Sequence, residues 1–113
     1  MEEKNFERSK EELFIIIEKA INHAAEQVEA QFHPAAGEIN KDMLKDEYAQ
    51  ISQAEEALRQ LPPNEKNAAL ENTLKTMKIY LDSLLHSWPH KDTVAAVRKE
   101  ADEAKALITE LKS

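Results

Sequence analysis

The chain has 113 residues, no cysteine and a formal net charge of -7 at pH 7, which bounds it to one small domain without disulfides, thiolate metal sites or a cysteine nucleophile. The acidic balance argues against binding nucleic acid or an anionic membrane, since both need clustered Lys and Arg to displace counterions. One glycine, four prolines and few aromatic residues, beside abundant Ala, Leu, Glu and Lys, favour helix and disfavour sheet.

Helix breakers cluster at His33-Pro34-Ala35-Ala36-Gly37, Leu61-Pro62-Pro63-Asn64 and Ser87-Trp88-Pro89-His90-Lys91, and they cut the chain into four blocks of similar size. The first helix is expected over about 9–31. Ser9-Lys10-Glu11-Glu12 fits a capping box at its start, with Asn5 as an earlier alternative, and Phe14, Ile17, Ile21, Ala24 and Val28 form its apolar stripe. The second is expected over about 39–60, with Leu44, Ile51, Ala54, Leu58 and Leu61 on one face and Tyr48 beside the seam. The third runs over about 65–87 behind Asn64, a good N-cap residue, and carries Leu70, Leu74, Met77, Leu81, Leu84 and Trp88. The fourth runs over about 93–112 after Asp92, with Val94, Val97, Ala101, Ala104, Ile108 and Leu111.

Each helix thus has one apolar face. Matched lengths joined by short loops favour an all-α, antiparallel up-down-up-down four-helix bundle spanning 1–113 as a single domain. Two helical hairpins that pair only as a dimer are the competing architecture. The charged first segment and the lack of a long apolar run imply no membrane span, and a cytoplasmic protein is expected.

Metal and cofactor patterns fail on spacing. A di-iron or di-manganese bundle needs Glu-x-x-His pairs from two helices, and none of the four histidines has an acid three residues before it. A haem bundle needs core-facing His or Met ligands, which the fourth helix lacks. His23, mid-way along the first helix, invites comparison with histidine phosphotransfer bundles. The resemblance does not hold, because those domains follow the acceptor with a Lys and a small-residue pattern, whereas Ala24, Ala25 and Glu26 follow His23. His23 is therefore expected at the rim of the stripe, partly covered and hydrogen-bonded. No serine or threonine sits on a glycine-rich turn that would expose a nucleophile or cradle phosphate, so no enzyme and no cofactor are expected.

Three weaker signals point to surfaces. Leu13-Phe14-Ile15-Ile16-Ile17 runs right round the helix, so Ile15 should face outward; Ile79 is likewise off its stripe, and Leu13, Ile15, Ile16 and Ile79 are the apolar candidates for a partner or homodimer contact. Residues 1–60 carry fourteen acids against seven bases while 61–113 carry eight of each, which suggests an acidic wall for a basic partner. Its members are Glu18, Glu26, Glu29, Asp42 and Asp46, with Glu11, Glu55 and Glu56. Topology should gather His33, His86 and His90 at one pole with Asp82, Glu38 and Asp92, an alternative zinc, nickel or proton-sensing site, and should place Phe32 and Trp88 there as a plug. The expected function is non-enzymatic protein binding, of the inhibitor, immunity, adaptor or chaperone type. The alternatives are the histidine pole and acidic nucleic-acid mimicry.

Overall fold

The computed structural model describes residues 9–32, 41–86 and 91–112. These form four helices, α1 (Lys10–Gln31), α2 (Lys41–Arg59), α3 (Glu65–His86) and α4 (Lys91–Lys112), and no strand. Asn5, His33, Glu38, Ile39, Trp88 and His90 lie outside the described residues.

Local chemistry sets the helix ends. At α1 the capping box forms as expected: the Glu12 amide donates to Ser9 Oγ at 3.2 Å, and the Ser9 amide donates to Glu12 Oε1 at 3.2 Å. The end of α2 tightens into three-residue bonds, Gln60 N to Ala57 O and Leu61 N to Leu58 O, immediately before Pro62, which cannot donate. Asn64 caps α3, its Oδ1 accepting from the Lys66 amide at 2.9 Å, while Asn67 Nδ2 donates back to the Pro62 carbonyl at 2.9 Å. The fourth helix starts at Lys91, two residues before the expected position, so Asp92 sits inside the first turn instead of preceding it. Its negative charge meets the positive end of the helix dipole in either place.

The helices form a closed ring in which α1 and α3 each pack on α2 and α4, leaving α1 diagonal to α3 and α2 diagonal to α4. Ion pairs give the direction. Glu18 meets Lys112 and Glu29 meets Arg98, so eleven residues up α1 correspond to fourteen residues down α4, and the pair is antiparallel. Glu55–Lys78 and Arg59–Glu71 show the same opposition between α2 and α3. The bundle therefore closes within one chain through the α1–α4 seam, a contact that two open hairpins would not make.

All the expected stripe residues within the described regions are buried except Val94, which packs half-buried against the core. Leu13, Ala20, Ala25, Ala57 and Leu85 add to it. Burying a Leu, Ile or Met side chain here contributes roughly 1.5–3 kcal/mol, so truncating fully buried Ile17 or Leu74 to alanine should cost roughly 2–5 kcal/mol. Among the described residues no helix is long and apolar enough to cross a membrane.

Candidate functional site

The outer face of α1 is where the surface signals converge. At 100° per residue, Ile17, Ile21, Ala24 and Val28 point to the core, and the opposite side presents Glu12, Ile15, Lys19 and Glu26. Ile15 is 60% exposed; Ile16 beside it is half-buried against the core. Leu13, expected at the same surface, is instead buried. The run of five apolar residues does wrap the helix, but Leu13 falls on the core side, so its contribution is to packing.

Two grooves flank the Ile15–Ile16 ridge. Toward α4, one is lined by Lys10, Glu11, Phe14, Ile15 and Lys112, with the Lys112 ammonium 5.7 Å from the centre of the Phe14 ring. Toward α2, an open groove of about 520 Å³ is lined by Ile16, Lys19, Ala20, His23, Gln50 and Gln53. At its edge His23 Nδ1 lies 2.8 and 2.7 Å from the two oxygens of Glu47. That is the geometry of one N–H shared between the oxygens of a carboxylate. Glu47 is 1% exposed and His23 44% exposed, so a buried acid is held by an imidazole that reaches solvent. His23 is partly covered and hydrogen-bonded, as its position at the rim suggested.

Glu47 was not anticipated from the sequence. Its position was legible: it lies three residues after Leu44 and four before Ile51, in a slot of the apolar stripe, where an acid must find a partner. Glu55, four residues after Ile51, occupies the next such slot. It is buried too, and Lys78 of α3 satisfies it at 2.7 Å while the same ammonium sits 5.1 Å from the centre of the Tyr48 ring.

Ile79 is 65% exposed, as expected, but α3 is diagonal to α1, so Ile79 and Ile15 face opposite sides of the bundle and do not form one patch. The acids also separate. Glu18 and Glu29 point to the α4 seam, where Lys112 and a two-pronged Arg98 neutralise them, Glu56 pairs with Arg59, and Glu55 is buried. Arg98 hydrogen bonding, only partly opposed by burial, holds the Glu29 carboxyl below its ordinary 4.5. Glu11, Glu26, Asp42 and Asp46 remain exposed and outside the described ion pairs. The sequence count missed this division because the cations that face α1 and α2 come from the other half of the chain.

At the histidine pole, Asp82 and His86 do meet, the His86 Nδ1 lying 3.1 Å from the Asp82 carboxylate and 3.0 Å from its carbonyl, and both are exposed. His33 and His90, which the proposed site also requires, are outside the described residues; among those that are described, no group of three or more His, Cys, Asp or Glu could hold a metal. Phe32 packs half-buried against the core.

Comparison with known proteins finds no matching family model, no similar curated protein and no similar solved structure.

Proposed function

We propose that the chain is a non-enzymatic protein-binding bundle whose contact face is the outer side of α1, acting as a small inhibitor, immunity protein, adaptor or chaperone does. The observation that carries this reading is Ile15, a large apolar side chain 60% exposed between two grooves on a helix that is otherwise well packed. Isolated exposed isoleucines are common; this one continues into half-buried Ile16, so a partner can cover a ridge instead of a point. The partner suited to it is a basic amphipathic segment. Its apolar residue would cover Ile15 and its cations would reach Glu11 and Glu26 on the same helix, with Asp42 and Asp46 on the adjoining one.

The test compares the wild type with Ile15→Asp, first by light scattering in dilute solution and then as bait for partner capture at low and high salt. The expected result is an unchanged helical content, capture by the wild type that weakens with salt, and capture lost in the variant. Equal capture by both proteins would refute the assigned face. A wild-type dimer that becomes a folded monomer on substitution would give the ridge to self-association in place of an outside partner.

A further inference from the structure

Beyond partner binding, we infer that His23 is a phosphoryl acceptor, taking the group on Nε2 from a small energy-rich phosphoryl donor such as a phosphoramidate or an acyl phosphate. Three features of the structure combine in this assignment. The first is orientation. Glu47 is fully buried and has both oxygens on Nδ1, so the proton of the neutral ring belongs on Nδ1 and the lone pair on Nε2. The second is access: the two ring nitrogens point to nearly opposite sides, so a ring anchored inward through Nδ1 presents Nε2 outward. Nothing among the described residues hydrogen-bonds to that nitrogen.

The third feature is what surrounds it. Lys19 lies one turn before His23 on α1, Gln50 and Gln53 stand on α2, and all line the groove that His23 borders. One ammonium and two carboxamides are donors for the anionic oxygens of a transferring phosphoryl group. Ile16 and Ala20 complete the lining, and the small Ala20 leaves room beside the imidazole. The chain lacks the lysine that follows the acceptor in phosphotransfer bundles; here the cation stands one turn earlier.

The step balances without any further reactant. The Nε2 lone pair forms the N–P bond as the bond from phosphorus to the leaving group breaks, and that bond's electron pair departs with the leaving group. From a phosphoramidate, whose nitrogen is already protonated, the leaving group is ammonia; from an acyl phosphate it is a carboxylate. The ring keeps its Nδ1 proton and gains a positive charge, which develops directly against the buried Glu47 carboxylate.

The experiment incubates the full chain with phosphoramidate and follows label at each histidine by peptide mapping under basic conditions, where phosphohistidine survives. His86 is the internal standard. It is 72% exposed against 44% for His23, and its Nδ1 also faces a carboxylate, so reactivity governed by exposure would label His86 first. The expected result is label on His23 at least ten-fold faster than on His86. Lys19→Ala and Glu47→Gln, each checked for intact helical content, should slow His23 several-fold and leave His86 unchanged; Lys19 is exposed, so that variant tests the site even if the Glu47 one fails to fold. Label on His23 no faster than on His86, or a His23 rate that Lys19→Ala leaves unchanged in the folded protein, would overturn the assignment.

Discussion

Replacing His23 with alanine removes the one group among the described residues that hydrogen-bonds to the Glu47 carboxylate. Glu47 is 1% exposed and would lose its hydrogen-bond partner. Breaking a buried pair by removing one partner costs roughly 3–5 kcal/mol. His23 is half exposed, so water entering the space vacated by the ring can rehydrate one side of the carboxylate, which puts the expected cost at the low end, about 3 kcal/mol. For a domain of this size that lowers the thermal midpoint by roughly 10 °C. The companion variant is His23→Ala/Glu47→Leu, which replaces both ends of the pair with apolar groups and should recover stability to within about 1 kcal/mol of the wild type. Urea denaturation at pH 7, followed by far-UV circular dichroism for the wild type, both single variants and the double, gives the coupling energy from the cycle. A coupling indistinguishable from zero, with His23→Ala costing less than about 1 kcal/mol, would refute the view that the imidazole is what makes a buried acid tolerable here.

Other perturbations separate the remaining parts. Arg98, chiefly by hydrogen bonding, keeps Glu29 below its ordinary 4.5, so the stability it adds is present above pH 4.5 and lost as pH falls through the lower folded value. Arg98→Ala should flatten that acid limb in a pH series of melts, at a cost near neutrality of at most about 1 kcal/mol for a pair so near the surface. Glu100 has the opposite sign: burial first, then the charge of Glu103, holds it above 4.5, so its contribution favours folding below pH 4.5 and is lost as pH rises through the folded value. Glu100→Gln should therefore raise the midpoint at pH 7 and not at pH 3. Ser9→Ala removes the acceptor of the α1 cap and should cost roughly 1 kcal/mol by urea denaturation. Ile79→Asp should stay within roughly 0.5 kcal/mol of the wild type, whereas Met77→Asp, two residues away and fully buried, should prevent folding.

The architecture was legible because helix and turn signals agreed. Ser9 and Asn64 cap where their side chains suggested, the described stripe residues are buried apart from half-buried Val94, and Ile15 and Ile79 stand outside. What the one-dimensional pattern hid was pairing between distant segments. Counting charge along the chain put an acidic wall on the first two helices, yet Lys112, Arg98 and Lys78 come from the last two and cover Glu18, Glu29 and Glu55. The start of α4 was misplaced for a local reason: Asp92 is favoured both as a cap and inside the first turn, so its presence does not fix the boundary. The candidate site was half visible. His23 could be placed at a rim, but its role follows from Glu47, whose meaning depends on which helix lies opposite.

The ion pairs also answer a question that apolar stripes leave open, namely which way round the ring turns. A bundle and its oppositely turning counterpart have the same neighbouring helices and bury the same stripes, but the two edges of every helix exchange. In the observed arrangement Glu18 and Glu29 lie on the α4 edge of α1, His23 on its α2 edge, Glu47 on the α1 edge of α2 and Glu55 on its α3 edge. With the edges exchanged, the Glu18 edge of α1 would face the Glu55 edge of α2, and from the His23–Glu47 register these two acids fall within one turn of each other. Arg98 would turn to α3. Lys66 meets Glu110, and Arg98 precedes Glu110 by the same twelve residues by which Lys78 follows Lys66, so Arg98 and Lys78 would stand level and repel. Glu47 would lose its imidazole at the same time. Each seam pair is weak where it is exposed, but the alternative turns several attractions into repulsions and strands a buried carboxylate, a penalty of several kcal/mol. The charges on the helix edges thus favour the observed turn of the bundle over a counterpart that would bury the same stripes, and the buried Glu47 is the largest contribution to that choice.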